Sequence, residues 1–230
     1  LQEQLIASMI EHGVSALMIA PAYGGDVAPF KDIQQAGIPT VQVLRSTGFD
    51  TASFPLFSMD YDAGGILATE HLLENWGNNV AFVGGIETHD ITIERKSGYL
   101  RKMGEAGLDP VSFHGKANRR FGYETALKIT RDRPDIKGIV TFNDLVALGM
   151  LAGFAQAGVK VGADIGIVGF DDIEEASQCF PQLSSVRCDV KTFGQQTADV
   201  LLKWVEENKQ PKAQVRYPVD LVVRASSSKA

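Results

Sequence analysis

Along the 230-residue chain, apolar positions switch repeatedly between two spacings. Leu1, Leu5, Ile6, Met9 and Ile10 recur at helical intervals, and Gly13 after His12 supplies a stop. The run Val14 to Ala20 is too short for a helix and is broken by Pro21, so it predicts a buried strand. The same alternation predicts helix 27–36, strand 38–44, a weaker strand 54–59, helix 62–76 and strand 79–84. Helices 93–107 and 119–132, strand 137–142, helix 144–157, strand 165–170 and helix 191–207 follow. Val215 to Arg224 predicts a late extended segment. Strands without internal polar alternation, interleaved with helices, predict parallel sheets covered on both faces.

So many elements overfill one sheet, which predicts an α/β fold of two doubly wound parallel-sheet lobes joined by hinge strands. The Gly/Asn-rich turn Trp76-Gly77-Asn78-Asn79 is the predicted crossing point, and the late strand must return to a sheet already built. The expected division is residues 1–76 plus 190–218 for an N-terminal lobe and 77–189 plus 219–230 for a C-terminal one.

Composition narrows the function. Apolar residues make up 44% of the chain and charged ones 22%, as in ordinary globular proteins, and no apolar run reaches the roughly 18 residues of a membrane span. Lys plus Arg is 22 against 28 for Asp plus Glu, and a net charge of −6 repels phosphate backbones. Two cysteines, Cys179 and Cys188, are too few for a disulfide scaffold and suit a reducing cytosol. The chain opens at Leu1 inside a predicted helix, so its natural start is expected upstream.

In open parallel sheets, ligands bind beyond the carboxyl ends of the strands. That rule selects Arg45 after Leu44, Asp60 after Met59, the Gly84 to Arg95 stretch with His89, Asn143-Asp144 after Phe142, and Asp171-Asp172 after Phe170. Each has a plainer reading. Asn143 or Asp144 can cap the helix that starts there, Asp171 or Asp172 can form an Asx-turn, and Arg95 with Lys96 can lie on a solvated helix face. Enzyme motifs are missing: there is no Walker lysine loop, no nucleophile elbow and no G-x-G-x-x-G after a strand. His12, His71, His89 and His114 are scattered without zinc-ligand spacing. No enzyme, metal or cofactor is expected.

The ordered set Asn143 to Gly149, Gly166 to Asp172, Pro181 to Arg187 and Leu221 to Ser226 resembles the lactose/galactose-repressor family. Gly13 to Pro21, Ala36 to Pro39, Asp60 to Leu73 and Gly98-Tyr99 after Arg95 extend the resemblance over the whole chain. It implies two similar lobes joined by three crossing strands, a small effector between them, a homodimer, and operator DNA bound only through a helix-turn-helix domain expected before Leu1. It also implies that the first strand, first helix and second strand of the N-terminal lobe lie upstream, leaving that lobe incomplete here. Residue by residue, it places Arg95, Asn143, Asp171 and Asp60 on the effector.

The chain departs from the family pattern at three places. Leu44 and Arg45 stand where an aspartate is common, Ala117 where an aromatic often covers the ligand, and Cys188 where Gln is frequent. Fewer acceptors, the added Arg45 and a further donor in His89 point away from simple neutral sugars and toward an anionic ligand, unless Arg45 projects into solvent. The resemblance implies the effector-binding core of a cytoplasmic transcriptional regulator, with an exported sugar-binding protein of a transporter as the alternative. Neither reading puts a recognition helix in these residues. In a gel-shift titration, this chain alone is expected to give no sequence-specific complex with operator duplexes, and a specific shift would place DNA binding within it.

Overall fold

The computed structural model describes residues 1–229. The chain begins α1 (Gln2–Glu11), β1 (Leu17–Ile19), α2 (Ala28–Ala36), β2 (Thr40–Val43) and β3 (Leu56–Met59). It continues α3 (Tyr61–Trp76), β4 (Val80–Val83), α4 (Asp90–Glu105), β5 (Val111–Phe113), α5 (Arg119–Asp132) and β6 (Gly138–Thr141). Last come α6 (Asp144–Gln156), β7 (Gly166–Asp171), α7 (Glu174–Gln178), β8 (Ser184–Arg187), α8 (Val190–Glu207), β9 (Gln214–Tyr217) and β10 (Asp220–Val222).

Two compact units result: Leu1–Met59 with Asp189–Tyr217, and Asp60–Cys188 with the chain from Pro218 onward. The first unit holds a four-stranded, all-parallel sheet in the order β1-β2-β3-β9. Its core gathers Ile6, Leu17, Ile19, Phe30, Ile33 and Phe54, with the Phe30 and Phe54 rings edge to face at 5.4 Å. The second unit holds six strands in the order β10-β8-β7-β6-β4-β5. All of these pair in parallel except β10, which runs antiparallel to β8. Ile139, Val146, Met150, Phe154, Ile167 and Leu183 are central to its core.

The expected boundary after Trp76 is not where the units divide. Helix α3 belongs to the second unit, and glycine explains how it seats there. A Cβ built on Gly65 would lie 2.2 Å from the Arg95 carbonyl oxygen, and one on Gly98 would lie 2.1 Å from that of Asp62. Only glycine allows α3 and α4 to approach this closely. At the far end of α3, Trp76 Nε1 donates to the Ser227 carbonyl at 2.8 Å. Gly77, at φ 86°, merely turns the helix into β4.

Three elements lie outside the predicted set. β5 is three residues long and only half-buried, so its pattern is too short to register. The short α7 follows the Asp171-Asp172 turn. β8 reads as polar because it is Ser-Ser-Val-Arg, yet Ser184 and Ser185 are fully buried, their hydroxyls donating to the Arg224 carbonyl and the Asp144 carboxylate. The late extended segment is two strands, not one. It splits at Pro218, with β9 pairing β3 in one unit and β10 pairing β8 in the other.

The α5–α6 crossing is equally tight, since a Cβ on Gly149 would meet the Arg119 carbonyl oxygen at 2.0 Å. Gly149→Ala is expected to lower stability by about 1–3 kcal/mol through backbone displacement. Gly104→Ala, in the last turn of α4 with open space around it, should instead raise stability by up to about 1 kcal/mol. Urea melts of the two variants check this opposition of sign.

Candidate functional site

Parallel pairing brings the carboxyl ends of β4, β6, β7 and β8 to one edge of the second unit's sheet. Beyond β4 the chain turns sharply through Gly84 and Gly85, at φ 106° and 74°, before α4 begins. One turn into α4, Arg95 is directed inward and is only 5% exposed. The solvated-face alternative therefore fails for this residue.

The surroundings of Arg95 are aromatic. Its guanidinium carbon lies 3.9 Å from the centroid of Phe170, 4.8 Å from that of Tyr61 and 4.9 Å from that of Phe142. Cation–π attraction strengthens in such a desolvated setting. Nη2 donates to Asp171 Oδ1 at 2.7 Å and Nη1 donates to the Phe142 carbonyl. Nε has no hydrogen-bond partner among the described residues. Burial works most strongly against the arginine's charge, but its neighbours, Asp171 foremost, together raise the group above its ordinary value. Burial also pushes the Tyr61 phenol upward and the Cys188 thiol up to about 12, so both stay neutral beside the pair.

Asp171 closes β7 with a backbone φ of 104°, and Asp172 follows at 54°. Consecutive left-handed non-glycine residues are strained, and strain of this kind concentrates at functional sites. The Asp172 side chain, 6% exposed, is gripped by Arg187 Nε and Arg224 Nη1, each at 2.7 Å. Burial opposes its charge, but the hydrogen bonds from Arg224 and Arg187 prevail and hold the carboxyl below its ordinary value.

Asn143 and Asp144 serve different purposes. Asn143 Oδ1 accepts from Val146 N at 3.0 Å and caps α6. Asp144 is fully buried: Oδ1 accepts from Ser185 Oγ at 2.6 Å and Oδ2 from Ile173 N at 2.8 Å. Gly169 leaves room for this carboxylate, since a Cβ there would lie 2.0 Å from Oδ1.

The structure thus brings Arg95 and Asp171 into one pair and sets Asn143 next to Phe142, whose carbonyl Arg95 holds. Asp60 caps α3 by accepting from Ala63 N at 3.1 Å, and its neighbour Tyr61 reaches Arg95. His89 precedes α4 as its cap residue without a side-chain capping bond. Arg45 lies in the first unit, where Nε donates to the Pro21 carbonyl and the guanidinium stacks on Tyr23 at 4.6 Å. Sequence reasoning missed the ring of Tyr61, Phe142 and Phe170, although each adjoins a selected polar residue in the chain. Among the described residues, no group of three or more His, Cys, Asp or Glu could hold a metal ion, and no helix is long and apolar enough to cross a membrane.

Comparison with known proteins gives consistent matches. The sequence profile of the periplasmic binding protein-like domain matches residues 69–227. The ribose operon repressor of Halalkalibacterium halodurans is 30% identical over 205 residues, covering 86% of this chain and 59% of that protein. The HTH-type transcriptional repressor PurR of Vibrio parahaemolyticus is 28% identical over 172 residues, or 73% of this chain and 51% of that protein. The chain spans about half the length of such curated relatives. A LacI family transcriptional regulator from Enterococcus faecium with bound ribose superposes at a TM-score of 0.88 with 20% identity, covering 99% of this chain and 84% of the other. The transcription regulator CcpA of Lactococcus lactis gives 0.87 at 20%, over 99% and 83%. At those identities the likeness concerns the fold.

Asp144 carries a pH dependence. Burial, first of all, raises its carboxyl to about 7; the bonds from Ser185 and Ile173 pull the other way, and Asp171 and Asp172 add to the rise. The folded state then holds a proton that the unfolded chain releases near pH 4, so Asp144 stabilises the protonated fold and that contribution is lost as pH rises toward 7. Burial, chiefly, lowers the His71 imidazole below its ordinary value, so it contributes in the opposite direction. Asp144→Asn removes the first effect and leaves the second. Between pH 5 and pH 8, the variant's stability relative to the parent is expected to climb, and a flat difference in urea melts would contradict the assignment.

Proposed function

Because the chain belongs to the periplasmic binding protein-like domain family, in the form of the effector-binding core of lactose/galactose-repressor regulators, we propose that it serves as the effector-binding and dimerisation core of a cytoplasmic bacterial transcriptional regulator. Its effector is a sugar or sugar derivative. Operator DNA is bound outside these residues, and the working species is a homodimer. The alternative of an exported transport protein loses its support, because the curated relatives named above are transcriptional repressors. Those relatives are regulators and not enzymes.

The observation that carries the proposal is the Arg95–Asp171 pair, held among Tyr61, Phe142 and Phe170 at the sheet's carboxyl edge. A sugar hydroxyl accepts from guanidinium and donates to carboxylate, so a polyol satisfies both members of the pair. Of the three rings only Phe142 is half-buried, and it is the one available to the apolar face of a pyranose or furanose ring. Asn143, next in the chain to Phe142, and His89, at the start of α4, stay in the proposed set through the resemblance. Asp60 keeps its place in the proposed set through the resemblance, next to Tyr61. Arg45 is withdrawn from the argument for an anionic effector, since its guanidinium is engaged by Pro21 and Tyr23. An effector of this kind changes DNA occupancy only through unequal affinity for the DNA-competent and incompetent conformations.

Calorimetric titration with D-ribose and a small panel of pentoses and hexoses tests the reading. At least one neutral sugar should bind, and Arg95→Lys, which keeps the charge but loses the planar fork, should weaken it tenfold or more. Arg95→Ala should also lower stability, by about 1–3 kcal/mol, because the arginine's buried packing among three rings is lost while the Asp171 carboxylate, 35% exposed, stays solvated. Binding of no sugar in the panel, or unchanged affinity in Arg95→Lys, would overturn the assignment.

A further inference from the structure

We propose that Arg224 is a positioning residue for this site: through Asp172 it holds the strand-end turn that aims the Asp171 carboxylate at Arg95. The proposal rests on the effector reading above for its consequence, though its structural premise is independent of any ligand. Asp171 and Asp172 occupy the left-handed region in succession, at φ 104° and 54°, and neither is glycine. A chain free to relax would leave that region, and the Asp171 side chain would swing away with it. Something must hold the turn in place.

Four contacts do so, and Arg224 makes the most buried of the ionic ones. Asp172 Oδ1 accepts from Arg224 Nη1 and Oδ2 from Arg187 Nε, both at 2.7 Å. The Arg224 side chain is 14% exposed and that of Arg187 is 52% exposed, so solvent screens the second pair far more than the first. On the backbone, Asp172 N donates to Ser185 Oγ at 3.0 Å and Ile173 N donates to Asp144 Oδ2 at 2.8 Å. The turn is thereby fixed from β8, from α6 and from the C-terminal tail together.

The tail itself is fastened, which is what makes Arg224 a fixed point. Arg224 N donates to Ser184 Oγ at 2.7 Å, and that hydroxyl donates to the Arg224 carbonyl at 2.9 Å. Arg224 Nη1 also donates to the Leu183 carbonyl at 2.6 Å. Two residues on, Ser226 Oγ donates to the Ile167 carbonyl and accepts from Ser184 N. Ser227 Oγ donates to Ser184 Oγ and accepts from His71 Nε2 at 2.8 Å. The guanidinium cannot follow a relaxing turn. A lysine at the same position would keep the charge, but its shorter stem ends before the position of Nη1, the nitrogen that bonds both the carboxylate and the Leu183 carbonyl.

The readout is Arg95 itself, which lies outside the clamp. In protein labelled with ¹⁵N-arginine, the buried Arg95 Nε–H and Nη–H signals report its pairing with Asp171. Arg224→Lys and Asp172→Asn are both expected to shift and broaden those signals in a protein that still melts cooperatively, and to weaken D-ribose, or whichever panel sugar the parent binds, by tenfold or more. Arg133→Ala, which breaks a surface pair with Asp135 elsewhere in the unit, should leave the Arg95 signals in place. Unchanged Arg95 signals in folded Arg224→Lys would overturn the proposal. Should the parent bind no sugar at all, the effector reading fails, while the arginine signals still decide whether Arg224 positions the pair.

Discussion

A guanidinium that is almost fully buried has to be compensated on every side, and the second unit is arranged around that requirement. Water is replaced by a carboxylate, a backbone carbonyl and three aromatic faces, gathered from a helix start and two strand ends. Tyr61 comes from the first turn of α3, Phe142 from the end of β6, Phe170 and Asp171 from the end of β7. None can be placed without the parallel register that aligns those strand ends. Nor could α3 deliver Tyr61 if bulkier residues replaced Gly64, Gly65 and Gly98. A Cβ on Gly64 would itself run into the Phe170 ring, 2.4 Å away. Helix packing and site geometry are therefore one constraint viewed from two ends.

The fold class was legible because it depends on period: short apolar strands alternating with amphipathic helices admit few arrangements other than parallel layers. The boundary between units was not legible in the same way. Trp76-Gly77-Asn78-Asn79 has the composition of a linker, but the side chains and glycines that seat α3 against α4 lie earlier, at Gly64, Gly65 and Gly98, and their effect exists only in three dimensions. β8 escaped notice for a related reason. Its buried serines look like loop residues until their hydroxyl partners, Asp144 and Arg224, are known.

At the site, the polar residues could be read from the rule of strand ends together with the family resemblance, whereas the environment that sets their behaviour could not. Arg95 sits in a stretch rich in charge, with Glu94 and Lys96 beside it, and local pattern gives no sign that it alone turns inward. Its aromatic neighbours were adjacent in sequence to Asp60, Asn143 and Asp171. They looked like core residues, which Tyr61 and Phe170 by burial also are, whereas Phe142 is half-buried. Asp144 illustrates the converse. Capping accounts for Asn143, but the neighbouring carboxylate turned out to be a buried acceptor for β8 and for the Asp172 turn, a part that neither capping nor ligand binding suggested.

On the effector reading proposed above, a site whose charges are already paired would select its ligand by exchange rather than by attraction. Nη1 and Nη2 of Arg95 are engaged, and its net field is cancelled at 2.7 Å by Asp171. An anion approaching the arginine would have to displace that carboxylate from a guanidinium that is itself buried and already paired. A hydroxyl faces no such conflict. It can donate to a free lone pair of Asp171 and accept from the guanidinium without separating the ion pair. On that reading, a preference for hydroxyl ligands over carboxylates or phosphates would depend on the Asp171 turn keeping its left-handed conformation.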